Sequence, residues 1–220
     1  MMTEVSPPEW TRMRSTGMKS EKKAILGGSF DPVHMGHINL FHNIATFTDI
    51  TTLYVIPAYT SAFKRESKGA DFDSRMEMLS LAIIDYVDLY PEDDLFMVVS
   101  DWEGKRKGVS YTSDTIRHFY DEMEDDGKVN FIIGSDIVDT LEKWHDTLEK
   151  WHDWEYLKTH VRFYCFKRGE GASRIPEGVE IIFIPSPLTE ASSTEVRKGE
   201  FSVLSPSVLE YIEDAGLYRN

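Results

Sequence analysis

Two histidines one helical turn apart follow a glycine pair and give the strongest chemical signal in the chain. The segment GGSFDPVHMGH, Gly27 to His37, comes directly after an apolar run and opens an amphipathic stretch. The glycines allow close backbone approach to a ligand, and the next helix N-terminus offers free N–H groups and a positive dipole end to an anion. His34 and His37 can point the same way there. Two imidazoles could thus stabilise charge that develops on phosphorus in a transition state.

Other interpretations of the histidine pair stay open from the residues alone. His34 and His37 could be surface or helix-capping residues, or they could form an i, i+3 metal pair. The metal interpretation is weak, because no Cys and no clear third ligand lies nearby in the sequence. The sequence also shows no obvious Ser–His–Asp or Cys–His pairing for nucleophilic catalysis.

The composition limits the class of ligand and the location. The chain has 220 residues, 38 acidic and 24 basic, and a net charge of −14, which argues against non-specific binding to nucleic acid or an anionic membrane. An anionic substrate would therefore need a local pocket of basic side chains and backbone N–H groups. The single cysteine, Cys165, lies in an apolar run and is expected in the core. No run approaches the ~20 apolar residues of a membrane span, and no secretory signal is visible, so we expect a cytoplasmic protein.

Strand-like and helix-like segments alternate from about residue 23, which predicts an α/β fold. The apolar runs KAILGG, TTLYVIP, DLFMVVS, KVNFIIG, VRFYCF and VEIIFIP are typical of buried strands. Amphipathic segments between them predict helices, including one from Asp136 to Leu157, with N-caps at Asp73 or Ser74, Ser113 and Ser135. This alternation predicts a doubly wound parallel sheet whose site lies at the carboxyl ends of the strands. We expect residues 1–22 to be an N-terminal arm and residues 23–220 to form one domain.

A seven-residue repeat interrupts this pattern. Residues 139–145 read DTLEKWH, and residues 146–152 read DTLEKWH again. Seven residues return to nearly the same helix face with a drift of only ~20°, so the duplication could lengthen a helix by two turns without rotating the residues after it. The alternative is a tandem duplication with no functional meaning.

Six motifs, in order along the chain, resemble the bacterial nicotinate-nucleotide adenylyltransferases of the HxGH nucleotidyltransferase superfamily. The resemblance extends from about Lys23 to Tyr218 and includes the C-terminal helix of the family. The matching segments are GGSFDPVHMGH, VIPAYTSAFK, SYTSDTI, FIIGSD followed by LEKW, SSTEVR, and VLEYIEDAGLY. The resemblance implies a Rossmann-like fold with a small C-terminal helical part, so residues 23–220 would be a nucleotidyltransferase domain.

The resemblance also implies a reaction. ATP and nicotinate mononucleotide would give deamido-NAD and pyrophosphate, with Mg²⁺ carried by the triphosphate and no metal held by the protein. The nucleophile would be a phosphomonoester oxygen that is mostly ionised at pH 7, so the reaction needs positioning and charge neutralisation rather than a general base. The rivals are another HxGH enzyme, such as pantetheine-phosphate adenylyltransferase, and a catalytically silent nucleotide sensor. The oligomeric state stays open, a homo-oligomer included.

The matched motifs imply the phosphate-binding roles. The resemblance implies that His34, His37 and Arg197 are catalytic residues and that His37 is the main transition-state stabiliser. For Arg197, an ordinary surface salt bridge is the alternative. Phe63 stands before Lys64 where the family commonly has a His. The residues expected to bind ATP or its phosphates are Gly28, Ser29, Phe30, Lys64, Gly134, Asp136, Ser193 and Thr194.

The resemblance places Tyr111 and Thr112 beside the pyridine ring, although the segment SYTSDT could merely cap a helix. Gly134 and Asp136 could likewise form only a strand-to-helix turn. Trp144 lies eight residues after Asp136, the spacing of the stacking tryptophan in the family, whereas Trp151 has the family-like relation to the WEYL segment. Both are candidates for nicotinate-nucleotide binding. Our hypothesis is that Trp144 stacks on the ring and Trp151 packs in the protein.

Overall fold

Within the residues that the structure describes, six parallel strands form the centre of the fold, one for each predicted apolar run. The computed structural model describes residues 21–61, 69–134, 151–167, 177–185 and 191–219. The six strands are β1 (Lys23–Gly28), β2 (Thr52–Pro57), β4 (Phe96–Val99), β7 (Lys128–Gly134), β8 (Val161–Lys167) and β9 (Glu180–Pro185). Three short strands accompany them: β3 (Thr60–Ser61), β5 (Val109–Ser110) and β6 (Glu124–Asp125).

The strand order confirms the doubly wound α/β fold. The sheet runs β4-β2-β1-β7-β8-β9, which is the order 3-2-1-4-5-6 of the six parallel strands. Ile25 of β1 pairs with Phe131 of β7, so the two strands at which the order reverses are direct neighbours. Ligands of such sheets bind at the carboxyl ends of these two strands. The segments after β1 and β7 therefore occupy the expected place for a site.

Helices cover both faces of the sheet because each central strand is apolar on both sides. In β1, Ala24 and Leu26 belong to one core cluster and Ile25 to the other, as the alternation of side chains along a strand requires. Cys165 is fully buried in the second cluster, which confirms its expected place. The helices are α1 (Met35–Phe47), α2 (Phe72–Leu89), α3 (Trp102–Arg106), α4 (Thr112–Met123), α5 (Trp154–His160), α6 (Ser193–Val196) and α7 (Pro206–Ala215).

Two predicted helix caps are wrong. The N-cap of α2 is Asp71, whose carboxylate accepts a hydrogen bond of 2.7 Å from the Ser74 N–H, and not Asp73 or Ser74. The N-cap of α4 is Tyr111, which makes no side-chain capping bond. Ser113 cannot serve there, because it lies inside the helix with a fully buried side chain. The third predicted cap, Ser135, lies outside the described residues.

The helix predicted from Asp136 to Leu157 is not continuous where the structure describes it. Residues 151–153 form a turn, and α5 begins only at Trp154. Asp153 has φ = 59°, in the left-handed region, which interrupts a right-handed helix. Its carboxylate pairs with Arg117 of α4, and this ion pair holds the turn against the neighbouring helix. Residues 135–150, with the first copy of the repeat, lie outside the described residues.

The boundary placed between residues 22 and 23 lies at the start of β1. Lys22 already makes hydrogen bonds with the residue before β2: its N–H donates to Thr51 Oγ1, and its carbonyl accepts from the Thr51 N–H. Among the helices in the described part of the chain, none is long and apolar enough to cross a membrane.

Candidate active site

The loop between β1 and α1 is tightly packed around Phe30. A Cβ atom on Gly28 would lie 2.9 Å from the Phe30 ring, so only glycine fits beside that ring. Phe30 is 2% exposed and has φ = 45°, a left-handed conformation that costs energy for a residue with a side chain. Gly28, Ser29 and Phe30 lie at the carboxyl end of β1, and their contact with phosphate stays a prediction.

His34 and His37 lie side by side, with ring centroids 4.0 Å apart. His34 is the N-cap of α1, and its Nδ1 accepts a hydrogen bond of 3.1 Å from the Gly36 N–H. The His37 Nδ1 accepts the His34 N–H at 3.2 Å. Because both Nδ1 atoms accept, each neutral ring carries its proton on Nε2. The capping interpretation of His34 is therefore correct. Because the capping bonds occupy Nδ1 of both rings, the N–H group of each neutral imidazole is at Nε2.

Steric crowding explains why a glycine, Gly36, stands between the two histidines. A Cβ atom on Gly36 would lie 2.9 Å from the Cε1 and Nδ1 atoms of His34 and 3.3 Å from the Cβ of Ala191. A side chain at this position would displace the His34 ring from its capping bond. The spacing HMGH is therefore a packing requirement of the histidine pair.

The expectation of free N–H groups at the start of α1 is wrong. The Met35 N–H donates to the Val203 carbonyl at 2.8 Å, and the Gly36 N–H donates to the His34 ring. The His37 N–H donates to the His34 carbonyl. The first turn of this helix is already satisfied, so an anion here would meet imidazole donors before backbone amides.

The segment SSTEVR lies against the same loop, although more than 150 residues separate the two in the sequence. Ser193 Oγ donates to the Pro32 carbonyl at 3.0 Å, and Arg197 NH1 donates to the Asp31 carbonyl. Arg197 NH2 also donates to Thr194 Oγ1 at 3.1 Å. The Ser192 side chain caps α6 by accepting a hydrogen bond from the Thr194 N–H. The structure therefore brings Ser193, Thr194 and Arg197 to the loop that carries the histidines.

Asp31 organises this loop and was not recognised from the sequence. Its Oδ1 accepts from the Ala70 N–H at 3.0 Å and from the Tyr218 hydroxyl at 2.6 Å. Burial, together with the bond to Asp31, raises the pKa of Tyr218, so the phenol stays a donor at neutral pH. The Arg197 guanidinium lies 3.9 Å from Asp31 Oδ2. Nothing local in FDPVHMGH or AGLY indicates this long-range contact.

Arg75 is a second residue that the sequence interpretation missed. Its guanidinium donates to three backbone carbonyls: Ser29 at 2.7 Å, Ala58 at 2.8 Å and Tyr59 at 3.1 Å. Burial lowers its pKa, while Asp31 opposes that shift. A signal was available, because Arg75 stands on the apolar stripe of α2 with Met78, Leu79 and Ala82. A charged residue in such a stripe requires buried partners.

Tyr111 and Thr112 begin α4, directly after the short strand β5. This strand pairs with β3, and the Tyr59 N–H donates to Ser110 Oγ at 2.9 Å. The ring of His152, from the second copy of the repeat, lies 4.6 Å from the Tyr111 ring, and its Nδ1 lies 3.2 Å from Ser113 Oγ. The start of α4 is thus held from two sides, and its role beside a pyridine ring stays a prediction.

Two of the other predicted residues, Gly134 and Trp151, lie within the described part of the chain. Gly134 ends β7, the strand next to β1. Trp151 is 8% exposed, with its ring 6.2 Å from the Phe163 ring in an edge-on arrangement. Lys64, Asp136 and Trp144 lie outside the described residues.

The described site gathers four basic side chains at one loop, and the Arg75 guanidinium among them already donates to three backbone carbonyls. His34, His37, Arg75 and Arg197 all lie at or against one loop of a chain whose net charge is −14. In the part of the chain that the structure describes, no group of three or more His, Cys, Asp or Glu side chains could hold a metal ion. This arrangement can neutralise phosphate charge, and its described residues offer no ligand set for a resident metal.

Known proteins resemble this chain in sequence and in fold. Residues 25–199 match the family model described as cytidylyltransferase-like. The chain is 31% identical over 201 residues to the probable nicotinate-nucleotide adenylyltransferase of Hydrogenobaculum sp. (strain Y04AAS1), a match that covers 89% of this chain and 97% of the relative. The nicotinic acid mononucleotide adenylyltransferase of Plasmodium falciparum complexed with NaAD has a similar fold, with a TM-score of 0.64 at 19% identity, covering 90% of this chain and 98% of that one. Its complex with APC gives a TM-score of 0.63 at 20% identity, with the same coverage.

Proposed function

The chain belongs to the cytidylyltransferase-like family and, within it, to the nicotinate-nucleotide adenylyltransferases, and we propose that it transfers the adenylyl group of ATP to nicotinate mononucleotide. The products are deamido-NAD and pyrophosphate, and the reaction is a step of NAD biosynthesis. The observation that carries the proposal is the convergence of two distant motifs. Ser193 and Arg197 of SSTEVR donate to the backbone of the loop that holds His34 and His37.

In the proposed reaction, a phosphate oxygen of the mononucleotide attacks the α-phosphorus of ATP. A bond from this oxygen to phosphorus forms, the bond to the β-phosphate oxygen breaks, and pyrophosphate leaves. The attacking oxygen is already ionised at pH 7, since the second pKa of a phosphomonoester is about 6. His34 and His37 donate Nε2–H bonds to the charge that develops at the α-phosphate, while Arg197, Ser193 and Thr194 hold the leaving phosphates.

The remaining assignments belong to the same proposal. Lys64 contacts phosphate, Gly28, Ser29 and Phe30 line the shared phosphate region, and Gly134 and Asp136 contact a ribose. Tyr111 and Thr112 lie beside the pyridine ring, with Trp144 or Trp151. Mg²⁺ enters with ATP, because triphosphate oxygens suit its preference for oxygen ligands. A cytoplasmic location is part of the proposal.

Pyrophosphate release from the purified full chain tests the function. The assay supplies ATP or CTP with nicotinate mononucleotide, nicotinamide mononucleotide or phosphopantetheine, and His37→Ala is the control without the main transition-state donor. We expect the largest kcat/KM with ATP and nicotinate mononucleotide, and a loss of about 10²–10³ in kcat for His37→Ala. Preference for phosphopantetheine or CTP would assign another transferase activity. Binding without turnover would assign a nucleotide sensor.

A further inference from the structure

Glu103 is a buried carboxylate outside the loop between β1 and α1, residues 29–34, which we call the phosphate loop. It lies in α3 and is 1% exposed. Its Oε1 accepts from the Thr115 hydroxyl at 2.6 Å, and its Oε2 accepts from the Ser110 hydroxyl at 2.7 Å and from Arg106 NH2 at 3.0 Å. A buried carboxylate is costly unless such bonds satisfy it, so this residue is held at its place by three partners.

Two partners of Glu103 stand on either side of Tyr111 and Thr112. Ser110 is the last residue of β5, and Thr115 lies in the first turn of α4. One carboxylate therefore clamps the backbone before and after the two residues proposed to contact the pyridine end of the substrate. The N-cap residue Tyr111 makes no side-chain capping bond, so the start of α4 depends on this clamp rather than on an ordinary cap.

A chain of hydrogen bonds continues from Glu103 to the phosphate loop. Ser110 Oγ, which donates to Glu103, accepts the Tyr59 N–H at 2.9 Å. The Tyr59 carbonyl accepts from Arg75 NH2 at 3.1 Å, and Arg75 NH1 donates to the Ser29 carbonyl at 2.7 Å. The two ends of the proposed substrate site are thus connected through four consecutive polar contacts.

We propose that Glu103 is a positioning residue that sets the place of Tyr111 and Thr112 relative to the phosphate loop and thereby the affinity for the mononucleotide. This inference rests on the proposed function, because it takes Tyr111 and Thr112 as the mononucleotide end of the site. Glu103 acts through Ser110 and Thr115 and does not itself contact substrate.

The chemistry of the clamp requires a carboxylate of this length. Ser110 and Thr115 both donate, so both need acceptor oxygens, and a glutamine offers only one oxygen beside an NH₂ group that cannot accept. Glu103→Gln therefore removes the acceptor of one hydroxyl while it keeps the size of the side chain. The expected consequence is a shift at the start of α4 rather than a cavity in the core.

The test compares Glu103→Gln with Asp85→Asn in the full chain. Asp85 is a matched control, since it is a buried carboxylate of α2 that accepts two bonds from Ser207 at the start of α7. We expect Glu103→Gln to raise the KM for nicotinate mononucleotide about tenfold and to leave the KM for ATP within about twofold. Asp85→Asn should lower Tm without changing the ratio of the two KM values.

A milder variant covers the case in which Glu103→Gln does not fold. Ser110→Ala removes one clamp hydroxyl and the acceptor of the Tyr59 N–H, and we expect the same KM split at about threefold. Equal rises in both KM values, no rise, or the same split in Asp85→Asn would overturn the positioning role. If the wild type prefers another mononucleotide, the proposed function fails, while the KM comparison with that substrate still decides the role of Glu103.

Discussion

The phenolic hydroxyl of Tyr218 donates a hydrogen bond of 2.6 Å to Oδ1 of Asp31, and so connects two residues 187 positions apart. Asp31 belongs to the loop that carries the histidine pair, and its carbonyl accepts from Arg197. The segment after α7 therefore supports the phosphate end of the site directly.

We expect Tyr218→Phe to lower the free energy of unfolding by about 1–2 kcal/mol, because it removes one hydrogen bond to a carboxylate and keeps the ring. The KM for ATP should rise several-fold, since Asp31 is less firmly held. Urea unfolding and steady-state kinetics measure the two effects. Tyr120→Phe is the control, because the Tyr120 hydroxyl bonds the Gly127 carbonyl at 2.8 Å in a surface turn. An unchanged KM for ATP in Tyr218→Phe would show that the hydrogen bond between Tyr218 and Asp31 does not support ATP binding.

Arg197→Lys should not be a conservative change. Two different nitrogens of the guanidinium bond the Asp31 carbonyl and Thr194 Oγ1, and a single ammonium group cannot reproduce this planar arrangement. We expect kcat/KM for ATP to fall about tenfold or more, as measured by pyrophosphate release. Arg219→Lys is the surface control, because Arg219 is exposed and its guanidinium donates to the Glu213 carbonyl. A defect confined to the KM for nicotinate mononucleotide would place Arg197 in the other subsite.

Short-range sequence patterns are sufficient to predict most of the fold. The six parallel strands coincide with the apolar runs because strands buried on both faces need continuous apolar sequence. The motif HMGH was equally visible, since its histidines and glycine contact one another within four residues. The interruption at Asp153 was missed because the repeat keeps a helical period, and the left-handed residue is fixed by contacts with α4.

The residues that hold the site together could not be read from local patterns. Asp31 contacts Tyr218 and Arg197, and Arg75 contacts the carbonyls of Ser29 and Tyr59, across separations of 16 to 187 residues that no local pattern encodes. Ser113 shows the opposite error, because a serine near a helix start resembles a cap, whereas the observed N-cap, Tyr111, lies two residues earlier. Pairings over long sequence separations depend on tertiary packing.

Stability should depend on pH through Glu180 at the edge of the sheet. Burial opposes ionisation of this carboxyl, but bonds from Lys128 and Arg162 outweigh burial and lower its pKa below the ordinary 4.5. A lowered folded-state pKa stabilises the protein above the unfolded pKa, and this contribution is lost as the pH falls through the folded-state pKa. We expect the wild type to exceed Glu180→Gln in free energy of unfolding by less than about 1 kcal/mol at pH 7. In urea titrations, a difference that does not shrink below pH ~4.5 would contradict this role.

His152 should affect the mononucleotide end of the site. Its ring lies 4.6 Å from the Tyr111 ring and its Nδ1 is 3.2 Å from Ser113 Oγ, so it buttresses the start of α4 from the side of the repeat. We expect His152→Ala to raise the KM for nicotinate mononucleotide about three- to tenfold, with little change for ATP. His160→Ala is the matched control, because His160 also stacks on a tyrosine, Tyr156, but at the far end of α5. Equal effects of the two variants on the KM for nicotinate mononucleotide would show that His152 has no specific role at the start of α4.

The two tryptophans of the repeat should differ in what they do. Trp151 is 8% exposed and packs its ring against Phe163, so Trp151→Ala should lower the free energy of unfolding by about 3–5 kcal/mol. Trp144 lies outside the described residues, and its prediction rests on its spacing of eight residues from Asp136. The number of residues between the end of β7 and Trp144 sets how far Trp144 can lie from that strand. The seven inserted residues displace only the part of the chain that follows.

Trp144→Ala should therefore raise the KM for nicotinate mononucleotide roughly tenfold or more and leave the KM for ATP nearly unchanged, since aromatic stacking on the pyridine ring adds about 0.5–1.5 kcal/mol beyond burial. Each variant is the control for the other: urea unfolding should report mainly on Trp151, and the mononucleotide KM mainly on Trp144. A mononucleotide defect confined to Trp151→Ala, or a bound-product structure with the ring on Trp151, would reverse the assignment and make the first copy the inserted one.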